Sequence, residues 1–223
     1  MTKAEQILNQ VGETLARALR PDKELHLDSK KAHAHGFYGF ERRRDGTLVD
    51  DWSGFAAEIG KALYAIHGYS FLDLGCNVGG KVPFFTAWGC KRYLGLEQMP
   101  AAAAFAKKRW ANGFIDFQVC DIVHDEWPSG FNAIGLTYVF QHVPLDAKRE
   151  ILRKVALANP RVFILADHCI RNATLEECAA EHAKNWQKNS QSPYPRSELA
   201  ERLPELTITE PLEHLFVGRR RGQ

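Results

Sequence analysis

From Tyr69 onward, short apolar runs alternate with helix-length segments, and this one pattern leaves the chain few architectures. The runs cover residues 71–74, 93–96, 115–119, 133–138 and 162–166. Helical segments start near Gly79, Pro100, Leu145 and Ala173. Pro100 sits where a first helical turn accepts it. The helix from Leu145 carries Ile151, Leu152 and Val155 on one side, and the one from Ala173 carries Leu175, Cys178, His182 and Trp186. Strand and helix in alternation predict a parallel sheet covered by helices. The alternation then breaks. Residues 206–209 and 214–218 are strand candidates with a connector too short for a crossover helix, so they pair antiparallel or lie apart. The expectation is α/β, with five parallel strands followed by a hairpin-like pair.

The chain before Tyr69 reads differently. Residues 3–19 have a helical apolar face of Ile7, Val11, Leu15 and Ala18, stopped by Pro21 and Asp22. Residues 22–50 are polar, rich in histidine and aromatics, and without a clean period; Asp45-Gly46 marks a turn. Residues 51–66 return to a helical stripe of Phe55, Ile59, Leu63 and Ile66. The expected organisation is therefore 1–68 as N-terminal helices with a lid or arm, and 69–223 as the main domain.

The 223 residues are 45% hydrophobic and 25% charged, enough for one core without staples. A formal net charge of +2 and a pI near 8.3 select neither a nucleic acid nor a membrane surface as partner. Arg42-Arg43-Arg44 and Arg219-Arg220-Arg221 read as solvated charge runs. Five scattered cysteines without a C-x-x-C pair read as reduced thiols. The first six residues show no leader-like apolar stretch, and no run is long enough to span a bilayer. A cytoplasmic location is expected.

Ligands of open α/β sheets bind beyond the carboxyl ends of the strands. Four such ends carry suggestive residues. The first is Asp73-Leu74-Gly75-Cys76-Asn77-Val78-Gly79, a glycine turn between strand and helix. The second is Glu97, followed by Gln98, about 20 residues further on, the spacing at which an acid meets the hydroxyls of a ribose. A carboxylate suits that task because it accepts two hydrogen bonds and donates none. The third is Asp121, able to accept from an adenine amine while Ile122 packs on the ring; its competing role is a helix N-cap. The fourth is Thr137-Tyr138-Val139-Phe140-Gln141-His142.

This ordered set resembles the class I, Rossmann-like S-adenosylmethionine-dependent methyltransferase family, over residues 69–220. The turn is similar to the family's first motif, with asparagine in place of the middle glycine. The resemblance implies a doubly wound, mostly parallel seven-stranded sheet with a reversed last strand, and S-adenosyl-L-methionine as cofactor. It implies cofactor contacts from Asp73, Gly75, Cys76, Asn77, Gly79, Glu97, Gln98, Asp121, Ile122, Thr137 and Tyr138. A nicotinamide enzyme fits less well. The side chain of Asn77 would stand where the dinucleotide fingerprint needs glycine against a pyrophosphate, and Asp73 would repel that group.

A sulfonium already activates the methyl group, so the protein has to align the acceptor, exclude water and manage one proton. His142, on the loop that borders the acceptor side in this family, is the candidate base; its alternative is a structural histidine. Gln141 and His168, together with His33, His35 and Tyr38 of the arm, are candidate acceptor contacts. No metal is expected: His33-x-His35 lacks a nearby third ligand. Asp167-His168 is either a second acid–base pair or a surface turn. The first choice of acceptor is a small molecule methylated at oxygen or nitrogen. Alternatives are an RNA methyltransferase and a non-catalytic protein that binds the cofactor and acts as a partner.

Overall fold

The computed structural model describes Glu41–Arg42, Leu48–Val49 and residues 68–82, 85, 89–167, 169–189, 192–212 and 215–222. The helices expected over 3–19 and 51–66, together with His33, His35, Tyr38 and His168, lie outside the described residues. Inside the expected arm, β1 (Glu41–Arg42) pairs antiparallel with β2 (Leu48–Val49). Strands this short show no period in the sequence.

Seven strands form one sheet: β3 (Ser70–Leu74), β4 (Arg92–Glu97), β5 (Ile115–Val119), β6 (Ala133–Thr137), β7 (Val162–Ala166), β10 (Leu206–Leu212) and β11 (Leu215–Arg220). Their order is β10-β11-β7-β6-β3-β4-β5. β8 (Ile170–Arg171) and β9 (Tyr194–Pro195) form a separate parallel pair that the sequence did not suggest. The helices are α1 (Pro100–Trp110), α2 (Leu145–Ala158), α3 (Leu175–Asn189) and the short α4 (Arg196–Arg202). Two compact units divide the chain: residues 1–68 with Cys76–Val119, and Tyr69–Gly75 with Cys120–Gln223.

In the first unit β4 and β5 run parallel, Tyr93 opposite Ile115 and Glu97 opposite Val119. A parallel pair needs a crossover, and α1 supplies it. α1 buries Ala102, Ala103 and Ala106, side chains small enough for the helix to lie close to the strands. Tyr93 anchors the layer, its ring 5.6 Å from Phe85 and 5.8 Å from Phe117.

In the second unit β3, β6 and β7 run parallel and are almost wholly buried, as expected of central strands covered on both faces. Gly135, in the middle of β6, has no room for a side chain because the Phe71 ring of β3 fills that volume. α2 buries Leu145, Ile151, Leu152 and Val155, the predicted stripe, and also Lys148. It ends at Asn159 in the left-handed region (φ 47°), whose N–H reaches back to the carbonyls of Val155 and Ala156. β11 runs antiparallel to both β7 and β10, which is the reversed last strand. Among the described residues no helix is long and apolar enough to cross a membrane.

Candidate functional site

In the first unit the glycine turn and the end of β4 are tied together. The buried Glu97 carboxylate accepts the Asn77 N–H at Oε2 (3.0 Å) and the Met99 N–H at Oε1 (2.9 Å). The Cys76 N–H donates to the Leu96 carbonyl at 3.0 Å. Cys76 is buried, with its sulfur packed where a side chain on Gly95 would stand (2.5 Å from that Cβ position). Gly79 has φ +74° and is boxed in by Trp110 and Phe117, and the Trp110 indole donates to the Val78 carbonyl at 3.2 Å. Gln98 is exposed beside Glu97.

Asn77 has φ +51°. Among residues with a side chain, asparagine enters this region most easily, which explains how it replaces glycine here. We expect Asn77→Gly to change stability by no more than about 1 kcal/mol. Asn77→Val should cost at least about 1–2 kcal/mol, the penalty of the left-handed region. Denaturant unfolding of both variants tests the pair.

In the second unit Asp73 lies in β3 opposite Gly135 and is fully buried, and Gly75 (φ +71°) closes the strand end. Val139 leans on Gly75; a Cβ there would meet its Cγ2 at 2.5 Å. The turn after β6 thus packs against the start of the glycine turn. Thr137 is buried at the end of β6. Tyr138 takes φ +56° and donates its N–H to the Ala166 carbonyl at 2.8 Å. Backbone strain of this kind at a non-glycine residue gathers at functional sites. Residues Phe140–His142 form one turn of 3-10 helix. Phe140 is buried, and His142 is exposed with its Nε2 3.2 Å from the Gln141 amide nitrogen.

Asp121 serves its own loop. Its Oδ1 accepts the N–H groups of Val123 (2.8 Å) and His124 (3.3 Å), and its Oδ2 lies 3.0 Å from His124 Nδ1. The His124 contact, helped by those backbone donors, holds the carboxyl below its ordinary value, so it is ionised at neutral pH. Ile122 is buried, and its carbonyl accepts from the Trp127 indole at 3.0 Å. Lys154 of α2 pins the loop through the carbonyls of Val123 (2.6 Å) and Asp125 (2.7 Å).

Asp167 corrects the surface-turn alternative, because it is fully buried at the end of β7. Its Oδ2 accepts the Gln141 N–H (2.9 Å) and its Oδ1 the Cys169 N–H (3.1 Å). Sequence reasoning also missed Lys148 and Ser192, both without solvent exposure. Nothing in a lysine at one helical position marks it as interior; only the Ser192 carbonyl it meets, far along the chain, does so. Among the described residues no cluster of histidine, cysteine or acidic side chains is placed to hold a metal ion.

No family model and no curated protein matches the chain. Solved structures do. Magnesium protoporphyrin IX methyltransferase from Synechocystis PCC 6803, with bound SAH, shares 13% identity over 97% of each chain at a TM-score of 0.56. An S-adenosylmethionine-dependent methyltransferase from Mesorhizobium loti shares 16% over 72% of this chain and 96% of its own, at 0.55. This is the class I methyltransferase fold. Human N-acetylserotonin methyltransferase in complex with SAM also matches, at 16% identity over 77% of this chain and 53% of its own, with a TM-score of 0.54. On a class I methyltransferase fold the reversed β11 is the last strand, and Glu97 ends the strand that follows the glycine turn.

Proposed function

We propose that this chain is an S-adenosylmethionine-dependent methyltransferase that modifies an oxygen or nitrogen of a small molecule. The observation that supports it best is the state of Glu97. Each carboxylate oxygen accepts one backbone N–H, which fixes its orientation and leaves each with capacity for a second donor. Two hydroxyls on adjacent ribose carbons match that remaining capacity. Asp121 accepts three bonds within its loop and keeps room for one more, enough for an adenine amine. Gly75, Cys76, Asn77 and Gly79 offer backbone to the ligand, Gln98 lies beside the ribose contact, and Asp73, Ile122, Thr137 and Tyr138 complete the cofactor contacts. Residues 1–68 are proposed as the lid over the 69–223 domain. His33, His35 and Tyr38 within it, with Gln141 and His168, would contact the acceptor.

When bound, S-adenosylmethionine supplies a methyl group already activated at a sulfonium. His142 then acts as general base. Its imidazole is exposed on the turn after β6, and the neighbouring Gln141 amide contacts its Nε2. Bound cofactor would supply the electrophilic methyl carbon and keep the leaving sulfur, and His142 would take the proton given up by the acceptor oxygen or nitrogen. His142→Ala should lower turnover by about 10²–10⁴-fold while SAH affinity stays nearly intact. Full activity of that variant across pH would remove His142 as the base. Calorimetric titration with SAM and SAH, followed by turnover on hydroxylated and aminated small molecules, tests the whole reading. Absence of cofactor binding would overturn it. Binding without turnover on any acceptor would point to a partner protein, and salt-sensitive binding of RNA to an RNA enzyme.

A further inference from the structure

Lys148 is buried without solvent exposure at the start of α2, an uncommon place for an ammonium group. It donates to the Ser192 carbonyl and stands 5.2 Å over the Phe140 ring. Burial pushes its pKa down, while Cys169, Asp167 and Cys178 around it favour the charged form. The same groups grip one short stretch of backbone. The Gln141 N–H goes to Asp167 Oδ2 at 2.9 Å, and the Gln141 carbonyl accepts the Ser192 N–H at 2.8 Å. Tyr194, two residues after Ser192, packs edge-on against Phe140 with ring centroids 5.3 Å apart.

We propose that Lys148 is a positioning residue for His142: through Ser192, whose carbonyl it bonds and whose N–H meets the Gln141 carbonyl, it holds Gln141, and so the 3-10 turn that presents the imidazole. This rests on the reading of His142 as the base, but the clamp itself is a statement about geometry. Both main-chain groups of Gln141 are committed, its carbonyl to Ser192, which Lys148 contacts, and its N–H to Asp167. Remove the ammonium and Ser192 loses its tie to α2. The turn is then free to sample other orientations although the strands beneath it are intact. A methyl transfer that depends on in-line alignment is sensitive to shifts of that kind.

The test compares Lys148→Met with the double variant Lys148→Met/Asp167→Asn, each as the full chain. Lys148→Met removes one buried charge, and Asp167 is the carboxylate within Coulombic reach of it, so the double variant, which removes both, recovers global stability. Two local readouts are followed by NMR. Amide exchange should speed by roughly 10–100-fold at Ser192 in both variants, and at Gln141 in Lys148→Met, where Asp167 still accepts its N–H, with Leu136 and Leu165 unchanged in the double. The His142 ring signal should shift in both, with His124, held by Asp121, as the internal reference. SAH affinity is measured alongside by calorimetry and should stay within about twofold, the scatter expected of a site the substitution does not touch. If the double variant regains stability and the Ser192 amide returns to wild-type protection, Lys148 is only structural and the proposal is overturned. Exchange that rises evenly across the sheet in the double overturns it too. Failure of the unaltered chain to bind SAH defeats the functional reading separately and leaves the clamp to be judged on exchange alone.

Discussion

Gly79→Ala should unfold roughly 4–20 °C below the parent chain, the shift that about 2–5 kcal/mol produces in a protein of this size. Two independent costs combine. At φ +74° an alanine carries a left-handed penalty of about 1–2 kcal/mol. Its Cβ would also lie 2.7 Å from Trp110 Cδ1 and 3.0 Å from Phe117 Cε1, and overpacking of that kind costs about 1–3 kcal/mol. Neither ring can give way freely. Trp110 is held by its bond to the Val78 carbonyl, and Phe117 packs on Tyr93. Gly113 offers the control, since a Cβ there meets nothing within 4 Å. A calorimetric scan that finds Gly79→Ala as stable as Gly113→Ala would refute the steric account.

Glu97→Ala is the second large effect, and it is on binding. The substitution removes the acceptor for both proposed ribose hydroxyls and orphans the N–H groups of Asn77 and Met99, which shape the turn. Together these should weaken SAH binding by about 2–3 kcal/mol, on the order of 30–150-fold in Kd. Glu97→Gln separates the contributions. Its amide oxygen still accepts one backbone N–H, but its NH₂ group can only donate, so it should fall between parent and alanine. An alanine variant that binds SAH as tightly as the parent would remove Glu97 from the cofactor site and take the main support of the proposed function with it.

The strands over 115–119 and 162–166 were legible to the residue, the first as an alternation of Ile115 and Phe117 with polar residues on an edge strand, the second as a short buried apolar run with sharp ends. The reversed pair was legible from what was missing, a connector long enough for a helix. Two-residue strands such as β8 and β9 carry no periodic signal, and α4 is barely two turns long. The site divides in the same way. Glu97 stands out by its spacing from the turn. By contrast, Asp167 looks like any acid beside a histidine, and Lys148 like any solvated helical lysine. Their burial depends on contacts across 26 and 44 residues of chain, Asp167 to Gln141 and Lys148 to Ser192. Pair terms of that range leave no trace in local pattern. Asp121 shows the opposite limit: sequence marked it for a ligand, and much of its capacity is taken by Val123 and His124.

The direction of β11 has a practical corollary. Because it runs against β7, its closing residues sit beside the opening of that strand: Arg219 faces Val162, and the Arg220 amide meets the Arg161 carbonyl. An affinity handle or fluorescent fusion joined after Arg220 therefore departs from the pole opposite Ala166 and Asp167. The protein can be tethered to a sensor surface by that end with the Ala166 and Asp167 end of β7 left towards solution.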